Sequence, residues 1–289
     1  MIGKAVAHGA VTIVNAIACD LGAALGVKLW TKATVELTDK PGEFEGRIIS
    51  DPNENTGLMI NAARRVLNYF GVEGSYGAYV ETESNIPIAR GLKSSSVAAN
   101  AVVLAVAAAL NKKVDDLTAV KLGVEAAIKS RVTITGAFDD ACASYFGNLV
   151  VTDNKSMKIM KSFEVNEKDY RVLIYVPPEK GYTANVKVEK VRVLAKEVEV
   201  IHKLALLGDY WTAMTLNGLV YSVVLGYNPK IALEALMNGA VAAGLSGTGP
   251  AVAAITSAET IDKIVEAWQK YEGEIIQTEI NSEKAHVLK

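Results

Sequence analysis

Ten consecutive residues decide how this sequence is interpreted: Pro87-Ile88-Ala89-Arg90-Gly91-Leu92-Lys93-Ser94-Ser95-Ser96. The segment before them, from Tyr76 to Glu81, is typical of a strand. The run after them, from Val97 to Leu110, is Ala-rich and almost wholly apolar. This order predicts a strand, a loop and a helix that begins at Ser94. Because helix N-termini carry unpaired N–H groups and a partial positive charge, such a loop attracts anions.

The side chains of this loop suit a phosphate. Gly91 allows the backbone to approach a phosphate closely or to adopt a positive φ. Lys93 adds positive charge, and the hydroxyls of Ser94, Ser95 and Ser96 can cap the helix or contact a phosphate oxygen or Mg²⁺. The spacing alone also allows a serine-capped helix without a ligand. The P-loop pattern Gly-x-x-x-x-Gly-Lys-Ser/Thr is absent from the chain.

The composition is that of an ordinary globular protein. Of 289 residues, 50% are hydrophobic and 21% are charged, and the formal net charge is −2. This balance gives no basic footprint for nucleic acid or for an anionic membrane surface. The apolar run from Val97 to Leu110 is shorter than the roughly 20 residues that a membrane span needs. The length is sufficient for two domains.

The cysteine and histidine content argues against a zinc site. The chain has two cysteines, no Cys-x-x-Cys pair and three histidines. Cys19 and Cys142 are predicted to be small buried residues. The opening residues lack the basic-then-apolar layout of a secretory signal. With so few cysteines, this predicts a cytosolic protein.

The rest of the chain predicts a mixture of strands and helices. Every second residue from Val27 to Leu37 is apolar or Thr, as in a half-buried strand. Asn55 to Phe70 has helical spacing, and Asp115 can cap a helix that runs to about Ser130. In the second half we predict strands at 170–176, 251–255 and 274–280, and helices at 186–207, 209–225, 229–243 and 258–271. The mixture indicates an α+β protein with domains at 1–154 and 155–289.

The loop from Pro87 to Ser96 resembles the Pro-x-x-x-Gly-Leu-Gly-Ser-Ser-Ala motif of the GHMP kinases, which include galactokinase, homoserine kinase and mevalonate kinase. Lys93 replaces the second glycine and Ser96 the alanine. This variant resembles the archaeal-type shikimate kinases, a branch of the superfamily. The resemblance covers essentially the whole chain. It implies a two-domain fold, with an N-terminal ribosomal-protein-S5-like domain and a C-terminal ferredoxin-like domain, and a loop that binds ATP.

Two N-terminal segments share this resemblance. Residues 3–9 resemble the superfamily's opening Gly-Lys/Arg-x-x-x-x-Gly, which implies that Lys4 lies near the transferred phosphoryl group and neutralises its charge or lowers the pKa of the substrate hydroxyl. A surface lysine is the alternative. Residues 12–26 resemble the substrate-binding loop of the archaeal branch, which implies that Asn15 and Asp20 hydrogen-bond the hydroxyls of a polyol.

A third segment resembles the catalytic Gly-x-x-Asp segment of the superfamily. In residues 133–141 two adjacent acids follow Gly136, and a carboxylate there can accept the proton of the substrate hydroxyl. The spacing makes Asp139 the first candidate for the base and Asp140 the second, while a solvated turn is the alternative. In some relatives a glutamate on the preceding helix completes the Mg²⁺ site, which implies a role for Glu125 together with Ser95.

A fourth segment, from Leu245 to Ala251, resembles the C-terminal glycine-rich motif of the family. Two close glycines let the backbone pack against the phosphate loop and the substrate. Gly247 is therefore assigned to the ATP site, and Ser246, Thr248 and Gly249 are assigned to the substrate site. A tight turn without a ligand is the alternative.

The resemblance implies ATP-dependent phosphorylation of shikimate to 3-phosphoshikimate, with ATP and Mg²⁺ as cofactors. The carboxylate of shikimate needs a cation, preferably an arginine. Arg131, Arg90 and Lys129 lie near the site in sequence, and Arg131 is favoured because it shortly precedes the catalytic segment. Homoserine, mevalonate or a sugar are alternative acceptors, and a noncatalytic ligand sensor is a third possibility. We expect a monomer or homodimer that binds neither nucleic acid nor membranes.

Overall fold

The computed structural model describes residues 1–181 and 186–289, and four of the seven strands of its first sheet come from the N-terminal half. The central strand is long and pairs antiparallel with neighbours along both edges. The strands of this sheet are β1 (Ile2–Val14), β2 (Leu21–Thr38), β3 (Phe44–Ile48), β4 (Gly77–Ser84), β5 (Leu149–Asp153), β6 (Lys158–Phe163) and β11 (His286–Leu288). They follow the order β11-β1-β2-β4-β3, and β5 and β6 extend from the first part of β2.

Four helices cover one face of this sheet. They are α1 (Gly57–Tyr69), α2 (Ser94–Ala109), α3 (Asp116–Lys129) and α4 (Phe138–Phe146). The second of these, α2, packs on β1 and β2 and is flanked by the other three. Because its residues are mostly Ala and Val, it approaches the sheet closely: a Cβ on Gly3 would lie 2.1 Å from the carbonyl oxygen of Ala105. The apolar run 97–110 is therefore a buried central helix.

The second sheet belongs to the C-terminal half. Its strands are β7 (Arg171–Val176), β8 (Ala242–Leu245), β9 (Val252–Thr256) and β10 (Glu274–Thr278), in the order β10-β7-β9-β8. The accompanying helices are α5 (Val188–Arg192), α6 (Ala195–Leu207), α7 (Tyr210–Leu225), α8 (Lys230–Met237) and α9 (Ile261–Trp268). Both α6 and α7 also contact the first sheet, so the two halves share one buried interface.

The predicted domain limits at 1–154 and 155–289 stay a prediction. Strand β6 lies after residue 154 and pairs with β5 in the first sheet. Strand β11, at the C-terminal end, pairs with β1. The chain therefore returns to its first sheet after it has built the second.

Two element predictions in the second half need correction. The helix expected at 186–207 is divided into α5 and α6 by a turn at 193–194. The helix expected at 229–243 ends at Met237, because Gly239 has a φ of +99° and the next residues enter β8. Ala-rich composition favoured a helix there, but burial in the sheet decides for a strand. No helix in the described part of the chain is both long and apolar enough to cross a membrane.

Candidate active site

A cavity of about 670 Å³ lies where α2 and α4 begin. The first half supplies most of its walls, and Gly181, Gly247 and Thr248 from the second half close one side. Among its lining residues are many of those assigned to the site from sequence: Asn15, Ile88, Ala89, Gly91, Lys93, Ser94, Ser95, Ser96, Arg131, Asp139, Asp140, Gly247 and Thr248. Residues that are far apart in the chain thus meet in one space.

The phosphate-binding loop ends at the N-terminus of α2, as the sequence predicted. Lys93 is the N-cap and has a φ of +65°, and its carbonyl accepts from the N–H of Val97 at 3.1 Å. The N–H groups of Ser94, Ser95 and Ser96 precede that first helical hydrogen bond, so they have no partner within the helix. Since these serines line the cavity, their N–H groups and hydroxyls can bind an anion there.

The loop is fixed by the glycine-rich turn of the second half. Ser246 donates from Oγ to the carbonyl of Gly91 at 2.8 Å, and Ala251 donates its N–H to the carbonyl of Arg90 at 3.1 Å. Gly91 has a φ of +82°, and a Cβ there would lie only 2.0 Å from the carbonyl oxygen of Ser246. Glycine is required at this position both for its φ and for the close approach. Gly247 lies beside Lys93, 3.1 Å from Nζ to the position of an added Cβ.

An acid pair lies in the first turn of α4, opposite the phosphate-binding loop. The Asp140 carboxylate forms an ion pair with Lys93, with 2.9 Å between Oδ1 and Nζ, and the two side chains are only 13% and 7% exposed. Asp139 is also buried, and its Oδ1 accepts from Nδ2 of Asn154 at 2.7 Å. The segment is a buried helix start and not a solvated turn.

Burial gives the acid pair unusual ionisation. Desolvation raises the pKa of Asp139 above its ordinary value, although Lys93 and Asn154 oppose this. Desolvation and the nearby charge of Asp139 raise the pKa of Asp140 to about 7. Two carboxylates so close together cannot both be readily ionised, so the pair holds a proton up to near-neutral pH. Such a pair can accept a proton from a substrate hydroxyl.

Asn15 connects the two halves at the wall of the cavity. Its Nδ2 donates to the carbonyl of Gly247 at 2.8 Å, and its Oδ1 accepts from the N–H of Ile17 at 3.0 Å. Its backbone N–H donates to Oδ1 of Asn217 at 2.9 Å, and its carbonyl accepts from the hydroxyl of Tyr221 at 2.8 Å. The Asn15 amide is thus used within the protein, and the residue shapes the wall.

Lys4 and Glu125 lie away from the cavity. Lys4 is exposed at the start of β1, and the neighbouring Gly3 packs against Ala105 and Ala109 near the C-terminal end of α2. That end lies about 22 Å along the helix from Ser94. Glu125 forms an ion pair with Arg65 on α1 and does not line the cavity. Neither residue is brought to the phosphate-binding loop.

Of the other assigned residues, only Arg131 lines the cavity. Asp20 is in a turn, where its N–H donates to the carbonyl of Ala16 at 2.8 Å, and it does not line the cavity. Arg131 is exposed and lines the cavity with Lys129. Four further assigned residues do not line the cavity: Pro87, Arg90, Leu92 and Gly249.

Ser246 contacts the lining residue Gly91 but does not itself line the cavity. Ser246 accepts from the N–H of Thr12 at 3.2 Å. Three other residues around the site were not predicted from the sequence: Asn154, Asn217 and Tyr221. Asn154 contacts Asp139 but follows β5 in a polar turn, which carries no functional pattern. Asn217 and Tyr221 face the interface from α7. Of these residues, only Asn217 could have been noticed in the sequence, because a polar Asn inside an apolar helix needs a hydrogen-bond partner when it is buried.

The donors around the cavity suit a hard cation better than a soft one. Serine hydroxyls and carboxylates supply oxygen, which Mg²⁺ prefers. In the described residues no group of three or more His, Cys, Asp or Glu side chains could hold a metal by itself. Such a site fits an ion that takes most of its ligands from phosphates and water.

Comparison with known proteins agrees with this geometry. The family model "GHMP kinases N terminal domain" matches residues 57–148, and the model "GHMP kinases C terminal" matches residues 199–273. The shikimate kinase of Methanosarcina mazei is 45% identical over 98% of this chain and 96% of its own. That of Pyrococcus furiosus is 45% identical over 96% of this chain and 99% of its own.

Solved structures show the same fold at low sequence identity. Homoserine kinase from Cytophaga hutchinsonii superposes with a TM-score of 0.77 at 19% identity, over 99% of this chain and 97% of its own. Methanococcus jannaschii mevalonate kinase superposes with a TM-score of 0.76 at 18% identity, over 97% of this chain and 98% of its own. The predicted GHMP kinase fold is confirmed. With both family models matched and relatives at 45% identity over nearly their full length, this chain belongs to the GHMP kinase family, in its shikimate kinase branch.

Proposed function

We propose that the protein transfers the γ-phosphoryl group of ATP to a hydroxyl of shikimate and so forms 3-phosphoshikimate. The observation that carries this proposal is the meeting of the α2 N-terminus, the Lys93 ammonium and the acid pair in one cavity. An anion site beside a buried base suits phosphoryl transfer to an alcohol. The name of the acceptor is supported by the shikimate kinases of Methanosarcina mazei and Pyrococcus furiosus.

The helix start and Lys93 would bind and neutralise the phosphates. The N–H groups and hydroxyls of Ser94 to Ser96 are preorganised donors, since they belong to a helix held firmly in the core. Lys93 lies between this helix start and the acid pair, where charge moves during transfer. It would thus supply the cation first assigned to Lys4.

Asp139 would act as the base. As the acceptor oxygen bonds to the γ-phosphorus, the hydroxyl proton passes to the Asp139 carboxylate. The bond between that phosphorus and the bridging oxygen breaks, and ADP leaves with the electron pair. Asp140 keeps its ion pair with Lys93 and holds the ammonium in place.

Ser95 would contribute a hydroxyl to Mg²⁺, which, when bound with ATP, neutralises phosphate charge. Glu125 is omitted from this set because it pairs with Arg65. Arg131 is the proposed partner of the shikimate carboxylate, supported by its place at the rim of the cavity. A cytosolic location, supported by the two free cysteines, completes the proposal.

A coupled ADP assay tests the proposed function. Purified protein with Mg-ATP is given shikimate, the methyl ester of shikimate, homoserine, mevalonate or galactose. We expect ADP with shikimate, and weaker binding of the ester because it lacks the charge that Arg131 would bind. Turnover of another acceptor alone would reassign the substrate. ATP binding in calorimetry without turnover of any acceptor would favour a noncatalytic sensor.

A further inference from the structure

Asn154 is a buried polar residue beside the acid pair, and the proposed reaction gives it no role so far. It follows β5 and is 2% exposed. Its backbone N–H donates to the carbonyl of Asp20 at 2.8 Å, so the position of its main chain is fixed against the start of β2. A buried amide in such a position must be satisfied by neighbouring groups.

The Asn154 side chain makes four contacts, and together they set its orientation. Its Oδ1 accepts from the backbone N–H of Asp139 at 3.1 Å and from Oγ1 of Thr152 at 2.7 Å. Its Nδ2 donates to Oδ1 of Asp139 at 2.7 Å and to Oγ1 of Thr135 at 3.4 Å. Because a backbone N–H can only donate, Oδ1 must face it, and the NH₂ group must face the carboxylate.

This orientation distinguishes the two oxygens of the Asp139 carboxylate. Oδ1 accepts from the Asn154 amide at 2.7 Å, which stabilises negative charge on that oxygen and makes Oδ2 the more favourable of the two for a proton. A Cβ on Gly22 would lie 2.5 Å from Oδ2. Gly22 therefore leaves the space that this oxygen occupies, and the carboxylate is held between the amide on one side and the Gly22 backbone on the other.

We propose that Asn154 is a positioning residue that orients Asp139 so that Oδ2 takes the proton of the acceptor hydroxyl. The chemical part of this proposal depends on the proposed function, whereas the orientation of the carboxylate does not. Thr135, which lines the cavity, is held by the same amide. Its oxygen also accepts from the N–H of Ala137 at 3.4 Å.

Several ionisable groups surround Asp139 and must be considered in any pH profile. They are Lys93 from the phosphate-binding loop, Asp140 and Cys142 from α4, and Tyr221 from α7. Asn154 acts on the same carboxylate, because its N–H favours the ionised form and lowers the pKa of Asp139. Loss of this donor should raise that pKa.

The test uses the full-length enzyme with Asn154→Asp and Asn154→Ala. The Asp variant keeps the shape and the Oδ1 acceptor but replaces the donor with an oxygen. We expect kcat to fall by about 100-fold, because the base is misplaced, with the KM for ATP unchanged and the acidic limb of kcat moved to higher pH. Asn281→Ala is the control: Asn281 is also buried and donates to the carbonyl of Glu283, and this variant should lose stability without moving the limb.

A second readout does not need turnover. Titration of the Asp139 carboxyl by ¹³C NMR should give a higher pKa in Asn154→Ala than in the wild type. If the wild type makes no ADP with any acceptor, the proposed function fails, and this titration still tests the orientation. An unchanged titration, or a loss of kcat that only follows the folded fraction, would overturn the role of Asn154.

Discussion

Lys93 combines an unfavourable backbone conformation with a buried charge. A φ of +65° costs a side chain about 1–2 kcal/mol relative to the right-handed region, and the related motif of the family has glycine at this position. The ion pair with Asp140 explains why a lysine occupies it. The sequence could place Lys93 at the helix start, but not its partner, since the two are 47 positions apart.

Replacement of Lys93 should therefore remove the positive charge that neutralises the phosphates, whereas replacement of Lys4 should not. Lys93→Met keeps an unbranched side chain as far as Cε and removes the ammonium, so we expect kcat to fall about 10²–10³-fold, as on loss of one preorganised donor. The acidic limb of the rate should also move to higher pH, because Lys93 lowers the pKa of both carboxyls. Lys4→Met should leave kcat unchanged; a large loss there would return the cationic role to Lys4.

The acid pair should be apparent in the pH dependence of kcat/KM. In the free enzyme the pair takes up a proton as pH falls through about 7, the pKa of Asp140, so the rate should fall below that pH. The negative charge of one carboxylate raises the pKa of the other. Asp140→Asn removes that charge, so the acidic limb of kcat/KM should move to lower pH. A profile without a limb near neutral pH would contradict the coupling.

Asp139 and Asp140 differ in the loss expected on substitution. Asp139→Asn should reduce kcat by about 10²–10⁴-fold, the range for removal of a general base, with little change in the KM for ATP. A steady-state assay with saturating shikimate measures this. Normal kcat in Asp139→Asn, with loss in Asp140→Asn, would transfer the role of base to Asp140.

At the scale of elements, the loop between β4 and α2 depends on one close approach. Gly91→Ala would place a Cβ against the carbonyl of Ser246, whereas Gly42 has a similar φ of +84° with no atom within 4 Å of the added Cβ. Both substitutions carry the left-handed cost of about 1–2 kcal/mol. Only Gly91→Ala should also raise the KM for ATP, by about tenfold, or about 1.4 kcal/mol of binding.

Thermal unfolding and ATP titration of the two glycine variants separate these effects. Equal KM values for ATP in Gly91→Ala and Gly42→Ala would show that the contact with Ser246 does not shape the phosphate-binding loop. A lower unfolding temperature in Gly91→Ala alone would indicate a contribution to stability only.

Elements were predictable where local signals agree with burial. The loop at 87–93 and the helix from Ser94 follow from a glycine and an apolar run, although Lys93 and not a serine is the N-cap of α2 and no side chain caps it. Asp115 caps α3 by accepting from the N–H of Thr118. The first two residues of β8, Ala242 and Ala243, fall inside the helix predicted at 229–243, since alanines favour helices when no sheet is known. The pairing of β8 with β9 decides its conformation, and that contact is not local.

At the scale of the whole molecule, the site depends on contacts between the first strand and the second half. Thr12 and Asn15, at the end of β1, hydrogen-bond Ser246 and Gly247, more than 230 positions later. Sequence motifs indicated that these segments serve one site, but not which atoms meet. The displacement of Lys4 has the same origin, because β1 extends away from the cavity along its whole length.

Tyr221, on α7 in the second half, is hydrogen-bonded to the segment that follows β1. Its hydroxyl donates to the carbonyl of Asn15 and accepts from the N–H of Ala18. Tyr221→Phe leaves both groups buried with one partner fewer and should cost about 1–3 kcal/mol of unfolding free energy. Because Asn15 lines the cavity, the KM for shikimate should rise as well.

Tyr175→Phe provides the matched control for Tyr221→Phe. The Tyr175 hydroxyl donates to the carbonyl of Glu272, away from the cavity. The Tyr175→Phe substitution should lower the unfolding free energy and leave the KM for shikimate unchanged. If both variants change the KM equally, the effect of Tyr221 would be one of stability and not of the cavity wall.

The central claim, that the cavity transfers phosphoryl groups to shikimate, is tested most directly by identifying the product. ³¹P NMR of a reaction with Mg-ATP and shikimate should show ADP and a phosphate monoester coupled to the proton on carbon 3 of shikimate, in equal amounts. The same reaction with Asp139→Asn should show neither at a comparable rate. ADP with inorganic phosphate alone, or no ADP at all, would contradict the account.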